Sequence, residues 1–161
     1  MISRIPKTSI VKVIRKLADE SVVNNTLQDD DELFLSVAPG EIWEILLVLI
    51  IVKASDASDP DAQFAWTLPA GATLSQAILG YNITTAGGDN NTRYLSKFQS
   101  VTALNIGIVA IASASVCTIH GLYIGGATGG NLQLQWAQAA TQAGNAVTVK
   151  ADSYLKATKV G

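Results

Sequence analysis

The sequence predicts an all-β fold: a single-domain β-sandwich, jelly-roll-like, preceded by an N-terminal extension. Three observations predict it. Short segments rich in Ile, Val, Leu and aromatic residues recur along the chain; turn chemistry separates them at intervals of about 8–15 residues; and no long stretch carries the apolar stripe of an amphipathic helix. At 161 residues the chain suits one domain, able to hide roughly two thirds of its unfolded surface in a single core. The expected division is an arm over residues 1–17 and a sandwich over residues 18–161.

The arm ends in SIVKVIRKL, residues 9–17, whose pattern fits a strand with alternating faces and a short helix with one apolar stripe about equally well. Residues 32–37 alternate weakly and run into a Pro39-Gly40 turn. The longest apolar segment follows at residues 41–53. Its Ile, Val and Leu content predicts a strand buried on both faces, although the periodicity also admits a helix. Residues 54–60 form a loop rich in Asp and Ser. Residues 62–68 then place Phe64 and Trp66 in alternation, and Pro69-Ala70-Gly71 ends that strand.

Residues 72–80, with Leu74, Ile78 and Leu79, fit a strand or a short helix. Residues 87–91 are a loop, and residues 94–98, 101–113 and 114–124 are extended. The glycine-dense residues 125–131 read as a flexible connection. Beyond them Leu132, Leu134 and Trp136 recur every second position with Gln133 and Gln135 between, which makes one face apolar and the other amide. That is a half-buried strand. No repeat of solenoid period is present.

Charge is distributed unevenly. Residues 1–17 hold five cations (Arg4, Lys7, Lys12, Arg15 and Lys16) and no acid, so the net charge of −2 leaves the remaining residues at −7, from six cations and thirteen acids. The cations are interleaved with Ile5, Ile10, Ile14 and other aliphatics, unlike a solvated polybasic tail, so nucleic acid is not the expected partner. An ordered arm that docks on a neighbouring protein fits better. Its expected contact residues are Arg4, Ile5, Lys7, Ile10, Lys12, Ile14, Arg15 and Lys16, with the cations meeting acidic surface. Charged residues make up only 15% of the chain, against about 25% in ordinary soluble domains. Such a surface is either covered in an assembly or dominated by Ser, Thr, Asn, Gln and Gly.

Several classes of function are disfavoured. The N-terminus lacks the apolar core and cleavage site of a secretory signal. The greasiest run, residues 42–52, has eleven residues and includes Glu44, short of the ~20 that a membrane helix needs. Neither a membrane nor an intrachain disulfide is expected, since Cys117 is the one cysteine. Cys117 and the single histidine, His120, are three apart, which supplies two zinc ligands where a structural site takes four and points them to opposite faces of a strand.

The acids at 29–32 and at 56, 59 and 61 lack the spacing of a calcium loop and read as solvated turns. Residues 125–131 lack the lysine and spacing of phosphate-binding loops. The nucleophile elbow of a serine hydrolase is absent, and Trp43, Trp66 and Trp136 all sit in alternating patterns that point to core packing. The expectation is a protein with no cofactor and no catalytic residues. Glycosylation-like Asn24-Asn25-Thr26 reads as a polar loop.

Residues 17–45, LADESVVNNTLQDDDELFLSVAPGEIWEI, together with the closing NLQLQWAQ and SYLKA, carry a family likeness. The chain resembles small virion proteins of tailed bacteriophages, which share an ADE-(S/T)-V-N-N-T-LQ-D-D-D run, an E-x-W-E strand and an LQWAQ … SYL-(K/R)-A ending. The resemblance implies a non-enzymatic structural role in the virion, on the exterior of capsid or tail, assembled in the host cytoplasm. It points to a homo-oligomeric capsid decoration protein, with a trimer as the first guess, in contact with the major capsid protein or other virion proteins. The alternative is a tail or fibre component whose sandwich binds a receptor or carbohydrate.

Overall fold

The computed structural model describes residues 10–54, 61–81, 93–96, 104–106 and 114–161. Arg4, Ile5, Lys7 and the expected loop at 87–91 lie outside the described residues, as do Asp56, Asp59 and most of the extended segment at 101–113. Among the described residues there are strands and no helix. In chain order they are β1 (Val11–Arg15), β2 (Glu20–Val22), β3 (Gln28–Val37), β4 (Ile42–Lys53), β5 (Ala62–Thr67) and β6 (Thr73–Tyr81), then β7 (Arg93–Ser96), β8 (Leu104–Ile106), β9 (Ser115–Ile124), β10 (Gly130–Gln138), β11 (Val147–Val149) and β12 (Tyr154–Lys159).

The pairing has one rule. β1 pairs β12, β2 pairs β11, β3 pairs β10, β4 pairs β9, β5 pairs β8 and β6 pairs β7, all antiparallel. The chain is thus one long hairpin, doubled back between β6 and β7 and then rolled up. The β3·β10 and β5·β8 pairs form a four-stranded sheet, and the other four pairs form an eight-stranded one. Rolling brings β12 and β11 beside β4, β9 beside β6, and β10 beside β5. Nested pairs shared between two layers define a jelly roll, as the alternating patterns predict.

One core lies between the layers. The eight-stranded sheet contributes Trp43, Ile45, Leu47, Leu49 and Ile51 from β4, with Ile119 and Tyr123 from β9; the four-stranded sheet contributes Leu33, Leu35, Phe64, Leu132, Leu134 and Trp136. All three tryptophans are buried, as their alternating positions predict. The Trp66 indole N–H donates to Gln76 Oε1 at 2.9 Å and the Trp43 indole N–H to Glu41 Oε2 at 3.0 Å.

Four expectations are corrected or resolved. The 9–17 segment is a strand where it is ordered on β12, with Val11 opposite Thr158 and Arg15 opposite Tyr154. Residues 72–80 fall in β6, because β9 offers them a ladder seven residue pairs long. β4 is not buried on both faces: among the described residues one layer packs on its sheet, and alternate residues from Ile42 to Val52 face outward and remain partly exposed. The glycine-rich segment is no loose connection. A Cβ on Gly126 would stand 2.5 Å from the Gly71 backbone, and the Gly126 carbonyl accepts from Gly40 N–H at 2.8 Å, so the two turns are held against each other where only glycine fits.

Candidate functional site

The residues expected to dock the arm on a neighbour are only partly free to do so. Ile10 is half exposed. Lys12 reaches across to β3, donating to the Ser36 carbonyl at 3.1 Å, with its ammonium 5.0 Å from the centre of the Trp43 ring. Ile14 packs against the core from its edge. Arg15 is exposed and sits 3.3 Å from Asp152.

Lys16 departs from the expectation altogether. It is 1% exposed, and its Nζ lies 2.6 Å from Glu20 Oε2 and 3.0 Å from Asp30 Oδ2. Asp30 in turn accepts the backbone N–H groups of Glu32 and Leu33 on its other oxygen, while Glu20 accepts from Gln28. Burial alone would lower the Lys16 pKa, but the hydrogen bonds and charges of Glu20 and Asp30 outweigh it and raise it. This ammonium ties β1 to β2 and β3 of its own chain. Asp30 is accordingly no solvated turn residue, which corrects the reading of the 29–32 acids at that position.

The outer faces of the two sheets differ in kind. On the four-stranded sheet Asn131, Gln133 and Gln135 of β10 point away from the core, and their amides are engaged within the chain. Asn131 Oδ1 accepts from the Ser36 hydroxyl at 2.8 Å, Gln133 donates to the Asp30 carbonyl at 2.9 Å, and Gln135 donates to Asp29 at 2.8 Å. On the eight-stranded sheet the corresponding face is aliphatic along β4, where Glu44 is the one charge, and mixed on the strands beside it. Leu46 stands between Lys156 and His120, Val48 between Tyr154 and Thr118, and Ile50 beside Val116. Val11, Val13, Leu79, Val116, Leu122 and Ile124 are each 41–63% exposed. The outward-facing charges across β1, β12, β4, β9 and β6 are Arg15, Lys156 and Glu44, Arg15 lying against Asp152, with His120 beside them between β4 and β6.

Little on this surface can do covalent chemistry. A groove of about 420 Å³ lies between β4, β9 and β6, lined by Glu44, Ser75, Ala77, His120 and Leu122. Cys117 is on the opposite, inner side of β9, and burial pushes its thiol up to about 12, far from a reactive thiolate. His120 and Cys117 therefore face away from each other. Among the described residues no three of His, Cys, Asp and Glu gather as a metal site.

The sequence could not have named this face as one surface. β4 is apolar on both sides, and only the roll of the hairpin reveals which alternate residues meet water.

No family model and no curated protein matches the chain. Among solved structures it is similar to the Eiger TNF from S. frugiperda, at 9% identity and a TM-score of 0.48, over 96% of this chain and 94% of that one. It is also similar to infectious bursal disease virus, Gt strain, at 10% identity and a TM-score of 0.25, and to the VP2 subviral particle of that virus at 11% and 0.24. The chain spans less than half the length of these viral chains, 44% and 41%. Likenesses this distant carry no function across, and the fold rests on the strand pairing itself.

Proposed function

We propose that this chain is a non-enzymatic structural protein of a tailed-phage virion, a homo-oligomer that decorates and reinforces the capsid. The observation that carries the reading is the aliphatic outer face of the eight-stranded sheet. Contiguous apolar surface of that kind marks a contact site, which supports a molecule that works by being packed against others. The low charge of the chain and its resemblance to small phage virion proteins support the same role.

In this reading the N-terminal residues reach a neighbouring virion protein, with Arg4, Ile5, Lys7 and Ile10 as contacts and the major capsid protein as the partner. Lys12, Ile14 and Arg15 support the root of the arm from β1. The virion exterior is the site of action, and the chain acts there as a homo-oligomer.

The test is attachment to purified heads, scored by co-sedimentation. Because β1 and Lys16 belong to the fold, the informative truncation removes residues 2–9 only. It should leave the melting temperature unchanged and reduce attachment to heads. Full attachment by the truncated chain would show that the arm plays no part, and no attachment by the intact chain would refute the decoration role.

A further inference from the structure

Resting on the assembly reading above, we infer that the outer face of the eight-stranded sheet, across β1, β12, β4, β9 and β6, is the interface through which this chain binds a second copy of itself. The occupant follows from the chemistry of the face. Nucleic acid or an anionic membrane would require an excess of cations, and an acidic or basic protein would require a bias of the opposite sign. This face has neither. Glu44 lies opposite Thr158 and Lys156 opposite Leu46, so one acid and one base sit diagonally on neighbouring strands, and the further cation, Arg15 of β1, is already met by Asp152 at 3.3 Å; the side chains around them are aliphatic along β4 and mixed with Thr, Ser, Tyr and His on β12, β9 and β6.

A second copy presents the same balanced pair. In an isologous contact Glu44 of one copy can meet Lys156 of the other with no surplus of like charge, while Leu46, Val48, Ile50 and Leu122 leave water. The size also fits. The five strands run from 5 residues in β1 to 12 in β4, and at about 4.8 Å between strands and about 3.3 Å per residue they give a plan of roughly 650 Å², approaching the ~800 Å² that each partner gives to a standard interface.

Sedimentation and thiol labelling together test this. The intact protein should sediment as a multiple of 16.9 kDa. Leu46→Asp should sediment as the single chain while the buried tryptophans keep their native emission, and Thr67→Asp, on the exposed side of β5, should leave the oligomer intact. Because Cys117 is buried and unreactive, a cysteine introduced on the surface reports its own accessibility. Leu122→Cys should react with a thiol reagent at least about tenfold more slowly than Thr67→Cys at micromolar concentration, and should speed up on dilution, since labelling follows access.

Equal rates for the two cysteines, or an oligomer that survives Leu46→Asp with native emission, would overturn the interface. The virion role is scored separately by attachment to heads. Protection of Leu122→Cys in a protein that never binds heads supports the interface and removes only the decoration role.

Discussion

Strands β4 and β10 bury the same kind of side chain on one side and present opposite chemistry on the other. Trp43 to Ile51 enter the core at every second position of β4, as Leu132, Leu134 and Trp136 do on β10. Outward, β4 carries Ile42, Leu46, Val48, Ile50 and Val52, with Glu44 the one charge, whereas β10 carries Asn131, Gln133 and Gln135. The amides of β10 are satisfied by Ser36, Asp30 and Asp29 of the same chain and tolerate water. The β4 face gains nothing from water. These side chains are already partly covered by their neighbours, so each gains only a fraction of the ~1.5–3 kcal/mol of full burial on association, and the driving force comes from several of them acting together. The inner faces make the fold, and the difference between the outer faces determines which side is covered in an assembly.

The largest effects should come from the inner faces, where the two sheets are equivalent. Trp136→Ala and Trp43→Ala should each lose roughly 3–5 kcal/mol in urea unfolding, as large core truncations do. A much smaller loss for one of them would mean that the two layers do not share one core. Next is Lys16→Ala, which leaves Asp30 buried without its cation. Breaking a buried pair from one side costs about 3–5 kcal/mol, and partial access of water at Glu20 places this variant at the lower end. A stability loss below about 1 kcal/mol, the range of surface pairs, would show that the cluster does not hold β1 in place.

A smaller effect is set by pH at the rim of the β4 sheet. Hydrogen bonds from Lys159, then from the Ala38 N–H and the Trp43 indole, hold the Glu41 carboxyl at about 2, below its usual 4.5. A depressed carboxylate pKa contributes stability that is complete above 4.5 and is lost as pH falls toward 2. Asp19 is lowered as well, by Lys150 and the Ala151 N–H, and acts in the same direction. Melting temperatures of Glu41→Gln should therefore fall less steeply across that window than those of the intact chain, and parallel curves would rule Glu41 out. The smallest effect is expected from Thr67→Lys on the amide-bearing sheet. It should stay within ~0.5 kcal/mol, as surface substitutions do, and a larger change would mean that this face too is covered.

Much of the fold was legible because a period of two survives wherever one side of a strand is wet. Leu132-Gln133-Leu134-Gln135-Trp136 declares its faces directly. β4 was misread for the converse reason. A strand aliphatic on both sides reads as doubly buried within its own fold, and the pattern cannot distinguish a second layer of the same chain from a surface awaiting another molecule. Lys16 was counted as a surface cation because its partner Asp30 lies fourteen residues on, in a run that looks like solvated acids until β1 and β3 come together. Gly126 looked flexible because composition does not record that the Gly71 backbone occupies the place of its Cβ.

The most direct test of the account is a reconstruction of the intact particle at a resolution that separates strands. The account places the outer face of β1, β12, β4, β9 and β6 against other copies of this chain and leaves Asn131, Gln133 and Gln135 of β10 toward solvent. Density showing Leu46, Val48 and Leu122 open to solvent, with the β10 amides at the contact between copies, would contradict it.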